Sequence, residues 1–132
     1  MRTSEELARI HVENIGKPIV EQNLSVYAPH LIVTFPFAPE GHTQSLLGVE
    51  AFSKFLAAIG EFTTGHVVGG LNIFADHDRL TVEYLESSVF RSTGRNYRSE
   101  IVWTGVVEGD LISSLVEYYN PLAVLAALGE SE

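Results

Sequence analysis

The chain has 132 residues, of which 45% are hydrophobic and 19% are charged, and its 8 Lys and Arg against 17 Asp and Glu give a formal net charge of −9. This length and composition predict one globular domain, 1–132, and exclude a largely disordered chain. The acidic surface repels phosphate groups, so we expect no nucleic-acid partner. The absence of cysteine excludes a disulfide framework and a thiol nucleophile.

Membrane association is not expected either. No apolar run approaches the roughly 20 residues that a membrane-spanning helix needs, and the charged N-terminus does not have the pattern of a signal peptide. We therefore expect a cytoplasmic protein.

The first half of the chain predicts three helices and one short strand. Thr3 and Glu6 have the spacing of a capping box at a helix N-terminus, and Pro18 is suited to the first turn of a second helix. The predicted elements are a helix from Thr3 to Gly16, a helix at 19–27, a strand at 31–35 and a helix at 48–60.

The second half predicts a meander of strands and a final short helix. Turn residues separate the segments, and Gly109 with Asp110 is typical of a two-residue hairpin loop. Helices followed by a meander predict an α+β domain with the helices on one face of an antiparallel sheet. The predicted elements are strands near 66–75, 79–91, 96–107 and 111–119 and a helix at 121–129.

The strand at 111–119 carries apolar residues in both of its alternating sets, with Leu115 in one and Val116 in the other. A sheet with one wet face should alternate cleanly, so the pattern indicates that a second subunit covers the outer face. The alternative is that these are ordinary scattered surface residues. We expect a homodimer.

Two residues are candidates for acid–base chemistry. His11 lies near the middle of the apolar arc of the first helix, so it is either a neutral core histidine or an acid–base group in a pocket. Glu117 lies between Val116 and Tyr118 in a strand with few charges. If it points inward, burial raises its pKa into a useful range, and if it points outward it is a solvated carboxylate.

Aromatic residues recur through the helices and strands. They fill the core or line a cavity for a flat, apolar ligand. The predicted ligand contacts are Tyr27, Phe35, Phe37, Phe52, Phe55, Tyr84, Trp103, Leu115, Tyr119 and Asn120.

Cofactor signals are weak. The histidines lack metal-ligand spacing and no glycine-rich phosphate loop follows a strand, so we expect neither a metal nor a cofactor. Glu83 and Glu86 are three apart, which places them on opposite faces of a strand and excludes a carboxylate dyad between them.

The order of elements, together with a last strand that ends in Glu117-Tyr-Tyr-Asn-Pro121, resembles the NTF2-like superfamily and its SnoaL-like and ketosteroid-isomerase-like group. The resemblance covers nearly the whole chain. It implies a cone-shaped α+β barrel around one deep pocket, and a homodimer.

Within that resemblance, the polar groups of the steroid isomerases are replaced. Their helix-1 tyrosine corresponds to His11, their proton-shuttling aspartate to Phe35, and their protonated aspartate to Trp103. Steroid isomerisation by that mechanism is therefore not expected.

The segment from Glu117 to Gly129 is also similar to the tail of phenazine-biosynthesis proteins of the A/B type. That similarity implies a pocket-facing Glu117 that acts as an acid. An assisting histidine of those proteins has no clear match, because Gly69 falls near its place with His66 close by.

Together these observations predict a cofactor-independent isomerase, cyclase or dehydratase that acts on an apolar or aromatic ketone-like molecule. Glu117 is the expected general acid–base and His11 its partner. The alternative is a binding protein that holds a small apolar ligand without chemistry.

Overall fold

The structure, a computed structural model, describes residues 2–130. Two single 3₁₀ turns, Ile19–Glu21 and Leu24–Val26, separate the first helix from the first strand. The elements in chain order are α1 (Ser4–Asn14), β1 (Tyr27–Thr34), β2 (Ser45–Leu47), α2 (Val49–Phe62), β3 (Thr63–Asp76), β4 (Arg79–Phe90), β5 (Asn96–Glu108), β6 (Leu111–Tyr118) and α3 (Pro121–Leu128).

The six strands form one mixed sheet in the order β2-β1-β6-β5-β4-β3. Three successive hairpins connect β3 to β6, and β6 then lies parallel to β1, with Val33 opposite Leu115. The expectation of a fully antiparallel sheet was therefore wrong for this one pair. The two edge strands, β2 and β3, do not pair within residues 2–130, so the sheet is bent but not closed into a barrel.

The helix ends agree with the capping residues of the sequence. The Thr3 hydroxyl accepts a hydrogen bond from the Glu6 amide, and the Glu6 carboxylate accepts one from the Thr3 amide, which completes the capping box. The Asn120 side chain caps α3 by accepting a bond from the Leu122 amide. The helix ends at Gly129, whose φ of 78° favours glycine.

The helix predicted at 19–27 does not form. Asn14 bonds both backbone groups of Asn23: its Oδ1 accepts from the Asn23 amide at 2.8 Å, and its Nδ2 donates to the Asn23 carbonyl at 2.9 Å. These bonds take the Asn23 backbone out of any helical ladder. The chain therefore makes two separate turns and enters β1 at Tyr27, earlier than the predicted start at 31.

Strand β1 can accommodate a proline because its pairing with β6 is interrupted there. Tyr27 pairs with Ile112 and Ile32 with Ser114, and the register shifts between them, where Pro29 lies. A proline cannot donate a ladder hydrogen bond and is tolerated at such an irregularity. Strand β2, which the sequence did not predict, pairs antiparallel with β1.

A β-bulge in β6 explains its mixed apolar pattern. Val107 pairs with Ile112 and Val106 with Ser114, so Ser113 is an extra residue on β6. Because side chains alternate between faces, the extra residue moves the inward-facing positions from even numbers before the bulge to odd numbers after it. Ile112 points inward before the bulge, and Leu115 and Glu117 point inward after it.

The main core lies between the concave face of the sheet and the helices α1 and α2, and it includes Leu7, Phe52, Leu56 and Trp103, all fully buried. A smaller apolar cluster joins α3 to the end of the β4–β5 hairpin. None of the helices within residues 2–130 is long and apolar enough to cross a bilayer.

Candidate functional site

A cavity of about 330 Å³ opens beside the main core, between α2, the concave face of β3–β6, α3 and the segment 42–43. Val124 and Leu128 place α3 in its wall. Its walls are largely apolar, and six aromatic rings contribute to them: Phe35, Phe55, Phe62, Phe90, Tyr97 and Tyr119.

Glu117 lies in the wall of this cavity. Its side chain projects inward from β6, only 7% of the residue is exposed, and its carboxyl has no hydrogen-bond partner among residues 2–130. Burial raises the pKa of the Glu117 carboxyl well above its usual value, and the charge of Glu86 raises that pKa further. A carboxyl with a raised pKa keeps its proton to higher pH and can act as a general acid.

Glu86 also projects into the cavity and has a local partner. It lies on the buried face of β4, and its Oε2 is 2.8 Å from Nε2 of His66 on the neighbouring strand β3. A carboxylate accepts and the ring N–H donates, so this contact fixes the orientation of both side chains. Glu83 is half-buried on the other face of β4, which agrees with the spacing argument from the sequence.

Three tyrosines lie near the two carboxyl groups. The Tyr84 hydroxyl accepts a hydrogen bond from Nε1 of Trp103 at 2.9 Å. Burial and then the charge of Glu117 raise the pKa values of Tyr84 and Tyr119, and burial and then the charge of Glu86 raise that of Tyr97. All three therefore remain neutral O–H groups near neutral pH.

His11 lies in the core and not in the cavity wall. It is fully buried, stacks on Phe52, and its Nδ1 is 2.8 Å from the Tyr27 hydroxyl. That hydroxyl also accepts a bond from Nδ2 of Asn14, and Nε2 of His11 has no partner within residues 2–130. Burial lowers the pKa of His11 to about 3, so the ring is neutral.

This geometry corresponds to the core-histidine alternative. His11 was expected to lie beside Glu117 at the cavity. Glu117 lines the cavity, but the histidines in its lining are His42 and His66. Helix α1 directs His11 toward Trp103, whose ring edge lies against it with a centroid distance of 4.6 Å.

The other predicted ligand contacts divide into three groups. Phe35, Phe55 and Tyr119 line the cavity together with Glu117. Phe37 is 54% exposed and packs against Tyr118, whereas Asn120 serves as the cap of α3. The remaining residues are buried in the core and do not contribute to the lining: Tyr27, Phe52, Tyr84, Trp103 and Leu115.

The sequence reasoning missed the Glu86–His66 pair. The alternation of Leu80, Val82 and Tyr84 with more polar residues indicated that Glu86 shares the buried face of its strand. Its partner is 20 residues away, on a strand whose register shifts between Thr64 and Val67, so the pairing could not be read from spacing. Among residues 2–130, no group of three or more potential ligands converges as a metal site requires.

No protein-family model matches the sequence, and no curated protein matches it. Solved structures do match. An isomerase candidate from Bacillus subtilis has 19% identity and a TM-score of 0.80, over 99% of this chain and 98% of the other. An NTF2-like protein from Burkholderia xenovorans has 18% identity and a TM-score of 0.75, over 95% and 97%.

A phenazine biosynthesis-related protein from Pseudomonas aeruginosa has 12% identity and a TM-score of 0.73, over 98% of this chain and 91% of the other. Likeness at these identities concerns the fold alone. The chain therefore has the α+β NTF2-like fold shared with ketosteroid-isomerase-like proteins, which confirms the resemblance inferred from the order of its elements.

Proposed function

We propose that this chain is a small-molecule enzyme of the isomerase, cyclase or dehydratase kind, which moves protons on an apolar or aromatic ketone-like substrate without a cofactor. The observation that carries the proposal is Glu117, a buried carboxyl with no partner among residues 2–130, in the wall of an aromatic cavity. Perturbed acids in apolar clefts are typical of catalytic sites.

In the proposed reaction Glu117 is the acid and Glu86 the base. Glu117 gives its proton to the substrate carbonyl oxygen while Glu86, oriented by His66, takes a proton from the adjacent carbon, which produces an enol. Glu86 then gives its proton to a different carbon of an unsaturated substrate while the enol O–H returns its proton to Glu117, which completes an isomerisation and restores both carboxyl groups. General acid–base catalysis of this kind contributes about 10²- to 10⁴-fold in rate.

The dimensions of the cavity support a small substrate. Its volume of about 330 Å³ is at the lower end of the range of small-molecule sites. The isomerase candidate of the same fold gives support only at the level of the general class of reaction.

The test is the substitution Glu117→Gln, which keeps the shape of the side chain and removes the acidic proton. We expect turnover of an aromatic enone or ketone to fall at least tenfold, as measured by product formation. Glu83→Gln on the outer face of β4 is the matched control and leaves turnover within twofold of the wild type. An unchanged rate in Glu117→Gln would remove Glu117 from the mechanism.

A second candidate function is a binding protein that performs no chemistry. Phe35 favours it, because this residue lines the cavity and, in the resemblance to the steroid isomerases, corresponds to their proton-shuttling aspartate. An enzyme gives products and a pH–rate profile with aromatic ketones. A binder only raises its melting temperature when the ligand is added.

We also propose that the protein is a homodimer in which a second copy covers the outer face of the sheet. Val102, Val116 and Tyr118 lie on that face and are half-buried, and Val67 and Phe74 on the edge strand β3 are 57% and 60% exposed. An apolar face of this kind is typical of a contact between subunits.

A further inference from the structure

The two carboxyl groups of the cavity differ in their partners. Glu86 has the His66 ring within 2.8 Å, whereas Glu117 has no hydrogen-bond partner among residues 2–130. No lysine or arginine occurs among the described residues that line the cavity. A buried carboxylate without a partner is costly, so the group that would stabilise an ionised Glu117 is not supplied by these residues.

The aromatic walls around these carboxyls are also suited to a cation. Tyr119 and Tyr97 line the cavity together with Glu117. Phe90 packs against Tyr97 with ring centroids 5.0 Å apart. Aromatic faces attract cations, and the attraction strengthens where water is excluded. Aromatic rings beside an unpartnered carboxyl form a site suited to an ammonium group.

We infer that the ligand of this cavity carries a basic nitrogen on an apolar body, and that this nitrogen, as an ammonium group, pairs with the Glu117 carboxylate. The inference concerns the cavity of the proposed function but goes beyond the proposed reaction, because a Glu117 carboxylate that pairs with an ammonium group has no proton to give to a carbonyl. It adds the ligand class by assigning a positive charge to the bound molecule.

Binding of an amine should release a proton from the protein. An alkyl amine, like a lysine side chain, has a pKa of about 10 and enters the cavity already protonated. The Glu117 carboxyl loses its proton to solvent as the pair forms. Up to one proton is therefore released for each amine bound, and the affinity rises with pH over the range in which free Glu117 keeps its proton.

The other titratable groups near Glu117 are consistent with this assignment. Glu86 from β4 adds negative charge, and its partner His66 from β3 is held at the carboxylate of Glu86. The hydroxyls of Tyr84, Tyr97 and Tyr119 remain neutral below alkaline pH. His42 lies elsewhere in the lining, within 3.9 Å of Glu130.

Calorimetric titration with two probes of the same carbon skeleton tests the inference. We expect 4-phenylbutan-2-amine to bind the wild type at least tenfold more tightly than 4-phenylbutan-2-one at pH 7.5. Titration at several pH values in buffers of different ionisation enthalpy should show proton release with the amine over the range in which free Glu117 keeps its proton, and none with the ketone.

Substitutions identify the carboxyl responsible. Glu117→Gln should weaken amine binding at least tenfold and abolish proton release, and it should change ketone binding less than twofold. Tyr119→Leu should weaken the amine more than the ketone, because it removes an aromatic face. Glu83→Gln, on the outer face of β4, is the control and should match the wild type with both probes.

Two results would overturn the inference: a ketone that binds as tightly as the amine, or an amine affinity that Glu117→Gln leaves unchanged. Ketone turnover that depends on Glu117, without amine binding, would refute the ligand class and leave the proposed function in place. Tight amine binding through Glu117 with no turnover of any probe would support the ligand class and refute the enzyme.

Discussion

Two buried titratable residues couple the folding of this protein to pH in opposite directions. The pKa of His11 is lowered to about 3 by burial, so the unfolded state takes up its proton first, and stability is lost as the pH falls from about 6.5 toward 3. The pKa of Glu117 is raised, so the folded state holds its proton longer. The contribution of the Glu117 carboxyl to stability is fully present below about pH 4.5 and is lost as the pH rises toward the pKa of this group in the folded state.

The substitution Glu117→Gln separates these two effects, because His11 is present in both proteins. We expect the free energy of unfolding of the variant, relative to the wild type, to increase as the pH rises above about 4.5. The slope can reach about 1.4 kcal/mol per pH unit, and the increase stops at the folded pKa of Glu117. Urea unfolding at several values between pH 4 and pH 8 measures this difference.

Glu83→Gln provides the comparison, since Glu83 is half-buried on the opposite face of β4. This variant measures the effect of exchanging a strand glutamate for glutamine at a position outside the cavity. A pH-independent difference for Glu117→Gln would mean that this carboxyl ionises in the folded protein as it does in the unfolded chain.

At the scale of single residues, the sequence identified Glu117 but not its direction. Alternation from Leu111 cannot locate an inward side chain beyond Ser113, because the bulge there depends on pairing with β5. The same limit applies to His66, whose contact with Glu86 depends on the register of β3 against β4. Aromatic residues were predicted as pocket or core, and only coordinates separate these two roles.

At the scale of elements, one close backbone contact positions α2 and the aromatic wall that it carries. The Gly16 amide donates to the Leu56 carbonyl at 3.1 Å, and the Gly16 carbonyl lies against Gly60 of α2. A Cβ atom on Gly60 would lie 2.1 Å from the Gly16 oxygen, so any larger residue must push the turn after α1 away from α2.

Gly60→Ala therefore tests this contact. We expect a loss of about 1–3 kcal/mol in the free energy of unfolding, which is typical of overpacking against a backbone that cannot yield. Gly69→Ala on β3 is the matched control, because its Cβ meets no atom within 4 Å, and it should remain within about 0.5 kcal/mol of the wild type. Chemical denaturation of both variants measures the difference, and equal stabilities would contradict the contact.

The elements that the sequence predicted well have local causes. The capping box of α1 and the Asn120 and Gly129 caps of α3 act within one turn of the chain, and hairpin turns separate β3 to β6. The predicted helix at 19–27 failed because the competing partner, Asn14, comes from a different element. Strand β2 is short and forms only because β1 is beside it.

At the scale of the whole molecule, the sheet presents apolar residues on the face away from the helices. Val102 lies there between Glu83 of β4 and Tyr118 of β6. We expect the wild type to sediment as a dimer and Val102→Glu to sediment as a monomer, because it would place a second carboxylate directly opposite Glu83, and two like charges in a buried interface are destabilising.

Val20→Glu is the control for this experiment. Val20 is 93% exposed and lies in the turn after α1, away from the sheet. It should leave the sedimentation of the protein unchanged. A wild-type monomer at micromolar concentration would refute the dimer.

The bulge at Ser113 also determines where this strand can change in length. Loss of Ser113 would leave Ile112 and Ser114 opposite consecutive residues of β5, so the pairing would become regular and Glu117 would still face the cavity, whereas loss of one residue between Ser114 and Glu117 would bring Tyr118 into the cavity and turn Glu117 outward. Loss or gain of two residues in the strand would keep both orientations. The cavity therefore keeps its Glu117 carboxyl after even-numbered insertions and deletions between the bulge and Glu117, and loses it after odd-numbered ones.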